Sequence, residues 1–297
     1  MNTIQDLKDA TAFELLLLQT ILEAGESSSQ VTIDLTCPKE FAGNHYVSKV
    51  ALSGNDVKAL KAKLFPLVFG AGWKIIDLIL EYEITQAGLC RPGDYIKIST
   101  KKNLALNKDI LGVNLDCEQQ TWHCILDAYA HTVEHRHCLV HRTAEVGEAT
   151  GELNGTCRST NQALVTLTQH EQIAFASSAV LTAKGILDGG ICQRNEAFLK
   201  YHLNQLANHS RASILAGASA PKTVEVKILL QEDNHGLFVN LGEELKRINQ
   251  NQLTSYYDVV FKHPTKQALK MKGQSELIPL EKVYIDLDSP PGWLSIG

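Results

Sequence analysis

The sequence has no apolar run long enough to cross a membrane and no paired spacing among its cysteines. The run ELLLLQTIL near the amino terminus is far shorter than the roughly 20 residues of a membrane-spanning helix, and no basic leader precedes it. The 7 cysteines are scattered and odd in number, which favours free thiols over a disulfide framework. We therefore expect a cytoplasmic protein with reduced cysteines and no membrane association.

The sequence also lacks an excess of positive charge, internal repeats and low-complexity segments. Its formal net charge is −5 over 297 residues, of which 44% are hydrophobic and 21% charged. This composition is ordinary for a globular protein with one large domain or two smaller ones. The charge balance argues against a surface that is basic everywhere, but a local cationic cleft would be enough to attract phosphate groups.

Hydrophobic periodicity predicts a largely helical first part of the chain. Apolar residues at helical spacing cover four stretches: residues 6–24, about 55–86, about 116–141 and 194–216. We expect Pro66 and the pair Gly70 and Gly72 to kink or split the second of these helices. Thr168 and Glu171 form a capping-box pattern, which predicts the start of a further long helix.

The segments between and after these helices have other patterns. Residues 88–114 interrupt the helical pattern as an insertion, with a strand predicted at DYIKIST, residues 94–100. Residues 143–167 show the alternation and Gly-rich turns of a hairpin or extended loop. Near residue 220 the residue pattern changes, and the rest of the chain shows strand patterns with one short helical pattern among them. We therefore predict a mainly α protein, with a helical domain over residues 1–219 and a small α+β domain over residues 220–297.

The segment HTVEHRHCLVHR, residues 131–142, holds four histidines, two arginines, a glutamate and a cysteine at the end of a predicted helix. A helical wheel at about 100° per residue gives this helix an apolar stripe. The stripe consists of Trp122, Ile125, Leu126, Tyr129, Val133 and Val140. Arg136 falls about 40° from the centre of the stripe, where a guanidinium is costly to bury unless it meets an anion or a cleft.

The other polar residues of this segment fall on two further faces of the helix. Glu134, His137 and His141 lie along one edge of the stripe, because they are spaced three and four residues apart. The opposite face carries Cys124, His131, His135 and Cys138. The segment therefore offers two separate sets of residues for two different chemistries.

The hexapeptide RHCLVH resembles the signature of the HEPN superfamily of metal-independent ribonucleases. In that signature an arginine is followed by a polar residue, a short spacer and a histidine. Arg136, His137 and His141 match these positions in order. The chain departs from some members after the motif, where Arg142 and Thr143 stand in place of x-Tyr.

The resemblance covers the region of residues 53–190 and implies a HEPN-like helical bundle with insertions, acting on RNA without a cofactor. Cleavage through the RNA 2′-hydroxyl needs a group that titrates near neutrality, a role that suits His141, with His137 as the polar residue of the motif. Arg136 would stabilise the charge that builds on the phosphate, and Glu134 would support the histidines. In the family two protomers join their motifs in one cleft, so we expect a homodimer. A toxin or phage-defence role, with an antitoxin or neighbouring defence protein as a partner, is implied as well.

One alternative is a protein with the same fold and no catalytic activity. In it the chain is a catalytically inactive HEPN-like protein that binds RNA or another partner. The polar residues then form a solvated helix face, and Arg136 is paired structurally.

A second alternative is a zinc-dependent peptidase. The pentapeptide HTVEH is similar to the inverted zinc-peptidase motif, in which His131 and His135 bind the metal and Glu134 activates water. Glu171 or Glu196 could then supply a further ligand. A structural zinc site is a variant of this idea, with the ligands His131, His135, Cys138 and Cys124.

Overall fold

The computed structural model describes most of the chain, in two compact units. The described residues are 1–25, 31–34, 49–52, 62–112, 114–141, 143–148, 150–209, 219–248, 256–266, 269, 271–274 and 277–296. Unit 1 spans Met1–Ala218 and unit 2 spans Ser219–Gly297, and each has its own hydrophobic core. Helices dominate unit 1 and short strands dominate unit 2, so the chain combines both kinds of secondary structure. Within the described residues, no helix has the length and apolar character that a membrane crossing requires.

The described part of unit 1 consists of helices and two short strand pairs. The helices are α1 (Ile4–Gly25), α2 (Phe65–Gln86), α3 (Ile98–Asn107), α4 (Gln119–Val140), α5 (Gln169–Leu187) and α6 (Gln193–Gln205). The strands pair antiparallel, β1 (Val31–Asp34) with β2 (Lys49–Leu52) and β3 (Glu145–Val146) with β4 (Leu153–Asn154). All helical patterns of the sequence correspond to a helix here, with shifted ends. Residues 55–61 and 210–216, which the sequence also predicts as helical, lie outside the described residues.

The helix α2 begins at Phe65, directly after the turn residues 63 and 64, which agrees with the break expected near Pro66, but the split expected at Gly70 and Gly72 is wrong because the helix continues through both. Pro66 lies in its first turn, where the missing N–H breaks no intrahelical hydrogen bond. Gly72 allows a close approach to α5, because a Cβ at this position would lie 2.7 Å from the Cα of Ala176. One turn away, the rings of Phe69 and Phe175 meet edge-on with their centroids 5.2 Å apart. The small and aromatic residues of α2 therefore serve packing against α5.

The predicted strand at residues 94–100 is also wrong, because α3 begins at Ile98. Lys101 and Ala105 are both buried and are four residues apart, so the inward face follows the spacing of a helix. Lys101 Nζ lies 2.7 Å from Oδ1 of Asp77 in α2. Because the partner of Lys101 belongs to another helix, the local sequence does not show that this lysine faces the core, and the helix could not be recognised from its own pattern.

The carboxylate of Asp77 joins three helices in one buried network. Besides Lys101 of α3, it accepts a hydrogen bond of 2.8 Å from the hydroxyl of Tyr129 in α4. The ring of Tyr129 is in turn stacked on Trp73 of α2, with a centroid distance of 4.7 Å. The network therefore sets the position of α4 in unit 1.

The helix α5 begins with the capping box that the sequence predicts, which is confirmed. The backbone N–H of Glu171 donates to Oγ1 of Thr168 at 3.3 Å, and the backbone N–H of Thr168 donates to Oε2 of Glu171 at 2.8 Å. These two bonds satisfy donors that have no partner within the helix. The box fixes the point at which the segment 143–167 enters α5.

Unit 2 consists of two small sheets and one helix among its described residues. Its elements are β5 (Thr223–Leu229), β6 (Gln231–Asp233), β7 (Gly236–Asn240), α7 (Leu241–Ile248), β8 (Tyr256–Lys262), β9 (Met271–Gln274), β10 (Lys282–Ile285) and β11 (Ser295–Ile296). One sheet has the order β11-β9-β8-β5, with β5 parallel to β8, and the other has the antiparallel order β10-β7-β6. Inward-facing apolar residues of these strands form its core.

Candidate functional site

The helix α4 is buried on more sides than its wheel predicts. Most of the apolar stripe is buried as expected, but Val140 at its end is 54% exposed, so its assignment to the core is wrong. On the opposite face only His131 is exposed, whereas Cys124, His135 and Cys138 are buried. For His135 and Cys138 the reason is that a second layer of chain covers this part of the face, which a wheel of one isolated helix cannot include.

That layer is the segment 143–167, which contacts α4 through backbone carbonyl groups. Nε2 of His135 lies 2.7 Å from the carbonyl oxygen of Val165. The thiol of Cys138 donates to the carbonyl oxygen of Thr156 at 3.4 Å. These contacts hold the segment against the carboxyl-terminal half of α4.

Arg136 is half-buried, and its guanidinium lies over an aromatic ring. Its Cζ is 5.2 Å from the centroid of the Trp73 ring, a cation–π arrangement. No carboxylate of the described residues forms an ion pair with it. Trp73 therefore provides part of the stabilisation that the sequence alone assigned to an anion or a shared cleft.

A cavity of about 470 Å³ opens at the carboxyl end of α4. Its lining comes from α4 and from the segment 143–167: Glu134, His137, Cys138, His141, Thr143, Thr156, Cys157, Arg158 and Asn161. Of the candidate site residues in the sequence, the cavity brings together Glu134, His137, His141 and Cys138, although the wheel assigns Cys138 to the opposite face. Arg136 is not part of the lining.

The two histidines of the cavity lie close to each other and to one carboxylate. The ring centroids of His137 and His141 are 6.3 Å apart, and Nδ1 of His137 is 3.8 Å from Oε2 of Glu134. The other oxygen of Glu134 lies 3.4 Å from Nζ of Lys102. His141 is the exposed residue at the end of α4, and its backbone N–H donates to the carbonyl oxygen of His137 at 3.0 Å.

The electrostatic surroundings favour the neutral form of His137. Partial burial lowers its pKa, the carboxylate of Glu134 opposes this shift, and the charges of Arg136, His141 and Lys102 lower the pKa further. A neutral imidazole can accept a proton at neutral pH. The positions of His137 and His141 on one cavity wall therefore suit the transfer of two protons.

The segment 143–167 contributes residues that sequence reasoning missed. Cys157 and Arg158 belong to a tight turn, in which Asn161 has the left-handed φ of 56°. The side chains of Ser159 and Thr160 hydrogen-bond the Cys157 sulfur and lower its pKa to about 7. No local pattern identifies this turn as part of a site, because only the contacts of the segment with α4 bring it there.

The remaining histidines of the segment 131–142 have separate surroundings. Nδ1 of the exposed His131 lies 2.8 Å from the carbonyl oxygen of Asp127. The buried His135 packs edge-on against His209, with ring centroids 5.4 Å apart. Neither histidine lines the cavity.

The two glutamates considered as zinc ligands have other partners. Oε1 of Glu171 lies 3.3 Å from Nε2 of His209. Oε1 of Glu196 lies 3.2 Å from Nζ of Lys200 and accepts a hydrogen bond from the hydroxyl of Thr121. In the described part of the chain, no group of three or more His, Cys, Asp or Glu side chains is placed to hold a metal ion.

The chain matches no protein-family model, no curated protein and no solved structure.

Proposed function

We propose that this protein is an endoribonuclease of the HEPN type that cleaves RNA by acid–base chemistry of its own side chains. The observation that carries the proposal is the pair of histidines, His137 and His141, 6.3 Å apart between ring centroids on one cavity wall. Both belong to the RHCLVH motif. The bundle of α2, α4 and α5 around the motif supports the same proposal for the fold.

The reaction would proceed by attack of the ribose 2′-hydroxyl on the neighbouring phosphorus. His137 takes the proton of the hydroxyl, because its lowered pKa leaves it neutral at pH 7. The bond between the 2′-oxygen and phosphorus forms while the bond from phosphorus to the 5′-oxygen breaks. His141 gives its proton to the leaving 5′-oxygen. The products are a 2′,3′-cyclic phosphate and a free 5′-hydroxyl.

Two charged residues would support the histidines. Glu134, 3.8 Å from His137, stabilises this imidazole once it has taken a proton. Arg136 contributes positive charge next to the site, where it already lowers the pKa of His137. It would act on the transition state through its field, since it lies over Trp73.

The wider setting of the proposal follows from the resemblance. It implies a homodimer in a toxin or phage-defence system, with an antitoxin or neighbouring defence protein as a partner, whereas the cytoplasmic location is expected from the scattered, unpaired cysteines. The exposed Val140 and His141 at the end of α4 form the surface that two copies would bring together. The stripe from Trp122 to Val133 does not contribute to such an interface, because it is buried in the core of its own unit.

A binding protein that does not cut RNA is the second candidate. The observation that favours it is the position of Arg136, which lies over Trp73 and outside the cavity lining. The cavity would then hold RNA phosphate without the strong charge stabilisation that cleavage needs.

The purified protein is tested on end-labelled single-stranded RNA, with and without EDTA. We expect fragments that end in a 2′,3′-cyclic phosphate and a rate that EDTA does not change. His137→Ala and His141→Ala should each lower the rate by about a hundredfold or more. His131→Ala is the matched control, because this histidine is exposed on the same helix and lies outside the cavity.

The outcomes separate the candidates. Cleavage by the double variant of His137 and His141 at the parental rate removes the nuclease proposal. RNA binding without cleavage by the parent protein establishes the binding protein instead. Loss of a hydrolytic activity with EDTA and in His131→Ala would restore the zinc alternative.

A further inference from the structure

The segment 143–167 contributes an arginine to the lining of the cavity. Arg158 is exposed and lines the cavity from the segment 143–167, whereas the motif residues line it from α4. No described carboxylate forms an ion pair with Arg158. An arginine that has no anionic partner in the described part of the chain, in the lining of a cavity that also contains two histidines, is suited to bind an anion.

The backbone holds Arg158 in this position through a tight turn. The N–H of Asn161 donates to the carbonyl oxygen of Cys157, and the N–H of Cys157 donates to the carbonyl oxygen of Gln162, both at 2.8 Å. Asn161 adopts its left-handed φ here, a conformation that asparagine tolerates better than most residues. These backbone hydrogen bonds therefore fix the main chain of Arg158 beside the cavity.

The turn is also anchored to the motif helix. The thiol of Cys138 in α4 contacts the carbonyl oxygen of Thr156, immediately before the turn. Gly155 makes this approach possible, because a Cβ there would lie 2.7 Å from the sulfur of Cys138. Arg158 and His137 are thus carried by two pieces of chain in direct contact.

The charges around the cavity favour an anionic ligand. Among the described residues, its lining contains Arg158, His137, His141 and one carboxylate, that of Glu134. That carboxylate is already paired with Lys102 at 3.4 Å. The cation that the motif supplies, Arg136, lies over Trp73 and leaves the cavity itself without an arginine from α4.

We infer that Arg158 binds the phosphodiester group of the ligand in this cavity, taking the place that the motif assigns to Arg136. The inference rests on the proposed function for its ligand class, a single-stranded nucleic acid. The planar guanidinium can donate two hydrogen bonds to the phosphate oxygens, while His137 and His141 stay available for proton transfer. Asn161 on the same wall offers an amide as a further donor.

The test separates binding from cleavage by using a 2′-deoxy oligonucleotide, which lacks the nucleophile. Its binding to the full chain is measured by fluorescence anisotropy at several salt concentrations. Arg158→Ala should weaken binding about tenfold and lower the slope of log Kd against log salt by about one. Arg158→Lys should recover part of the affinity, and Arg91→Ala, an exposed arginine outside the cavity, should bind as the parent does.

A second measurement uses the neighbouring thiol as a reporter of occupancy. Cys157 lines the same cavity, so a bound oligonucleotide should slow its alkylation by iodoacetamide, followed by peptide mass spectrometry. At an oligonucleotide concentration near the Kd of the parent, Arg158→Ala should lose most of this protection. The buried Cys124 gives an internal reference for the folded state.

The two proposals can fail separately. If the parent cuts no RNA and Arg158→Ala still loses oligonucleotide affinity, the nuclease proposal fails and the inference stands. If the parent cuts RNA while Arg158→Ala keeps its affinity within twofold and keeps the protection of Cys157, the inference fails. A larger loss in Arg136→Ala than in Arg158→Ala also overturns it, because the motif arginine would then be the phosphate-binding residue.

Discussion

Glu171 is a buried carboxylate whose ionised form depends on its neighbours. Burial opposes its ionisation, but the interaction with His209 and the hydrogen bonds from Thr168 outweigh this effect and lower its pKa to about 2. The ordinary pKa of a glutamate is 4.5. Ionisation of Glu171 therefore stabilises the fold above the ordinary value, and this contribution disappears as the pH falls from about 4.5 towards about 2.

We expect Glu171→Gln to lower the free energy of unfolding by about 1–3 kcal/mol at pH 7. The difference from the parent should shrink as the pH falls below about 4.5, because the unfolded parent chain then takes up a proton at Glu171 while the folded state, with its pKa of about 2, stays ionised. Urea unfolding at pH 7, 5, 4 and 3 measures both effects. Glu148→Gln, at an exposed glutamate of the same unit, is the control and should change little. A constant difference at all four pH values would contradict the role of the charge.

At this scale the sequence identified the unusual residues but not their partners. Arg136 stands out on the wheel, yet its partner Trp73 comes from another helix, and only the packing of α2 against α4 brings the two together. Cys157 and Arg158 have no distinguishing local pattern. Their position in the cavity depends on the contact between Cys138 and Thr156, which is long-range in the chain.

At the scale of elements, α2 and α5 depend on one close approach. A Cβ at Gly72 would meet the backbone of Ala176 at 2.7 Å, whereas a Cβ at Gly70 would meet only the end of the Leu139 side chain at 3.0 Å. A flexible side chain can move by a few tenths of an ångström, and the backbone of a packed helix cannot do so at low cost.

We therefore expect Gly72→Ala to destabilise unit 1 by about 1–3 kcal/mol, although alanine is the better helix former. Gly70→Ala should change stability by less than about 1 kcal/mol, because gain in helix propensity and local crowding offset each other. Thermal and urea unfolding of both variants provide the comparison. Equal stability of the two variants would contradict the prediction, because α2 and α5 would then accommodate a Cβ at Gly72 without loss of stability.

Helices were easier to predict than the surfaces they bury. Apolar spacing located α1, α2, α4 and α6, since a long amphipathic pattern persists whatever the helix packs against, and the capping box located α5. The same reasoning failed for α3, where the buried Lys101 is matched by Asp77 of α2. It also failed for the second face of α4, because the segment 143–167 covers that face.

At the scale of the whole molecule, the two units have separate cores. The core of unit 2 consists of residues from its own strands, its helix and the loops between them, such as Val259 in β8, Leu241 in α7 and Leu294 before β11. A core that needs no residue from outside its unit can form by itself. The domain boundary that the sequence predicts near residue 220 lies next to the division between Ala218 and Ser219.

We expect residues 219–297, produced alone, to fold with a cooperative thermal transition. Val259→Asp should abolish the transition, because Val259 is fully buried and a carboxylate there has no partner. Leu229→Asp is the matched control, since this residue lies in the neighbouring strand and is 61% exposed. Circular dichroism of the three fragments gives the result, and an unfolded parent fragment would refute the independence of unit 2.

The buried network of Lys101, Asp77 and Tyr129 has a consequence for how this protein can change over evolutionary time. Loss of the Lys101 charge alone would leave the buried carboxylate of Asp77 with only the more distant, exposed Lys74 at 3.9 Å, which is destabilising. Substitutions at positions 77 and 101 are therefore tolerated mainly in pairs, such as two neutral residues of similar volume. Related sequences that keep the α3 insertion should show covariation between these two positions, and those that lost the insertion should have a neutral residue at position 77.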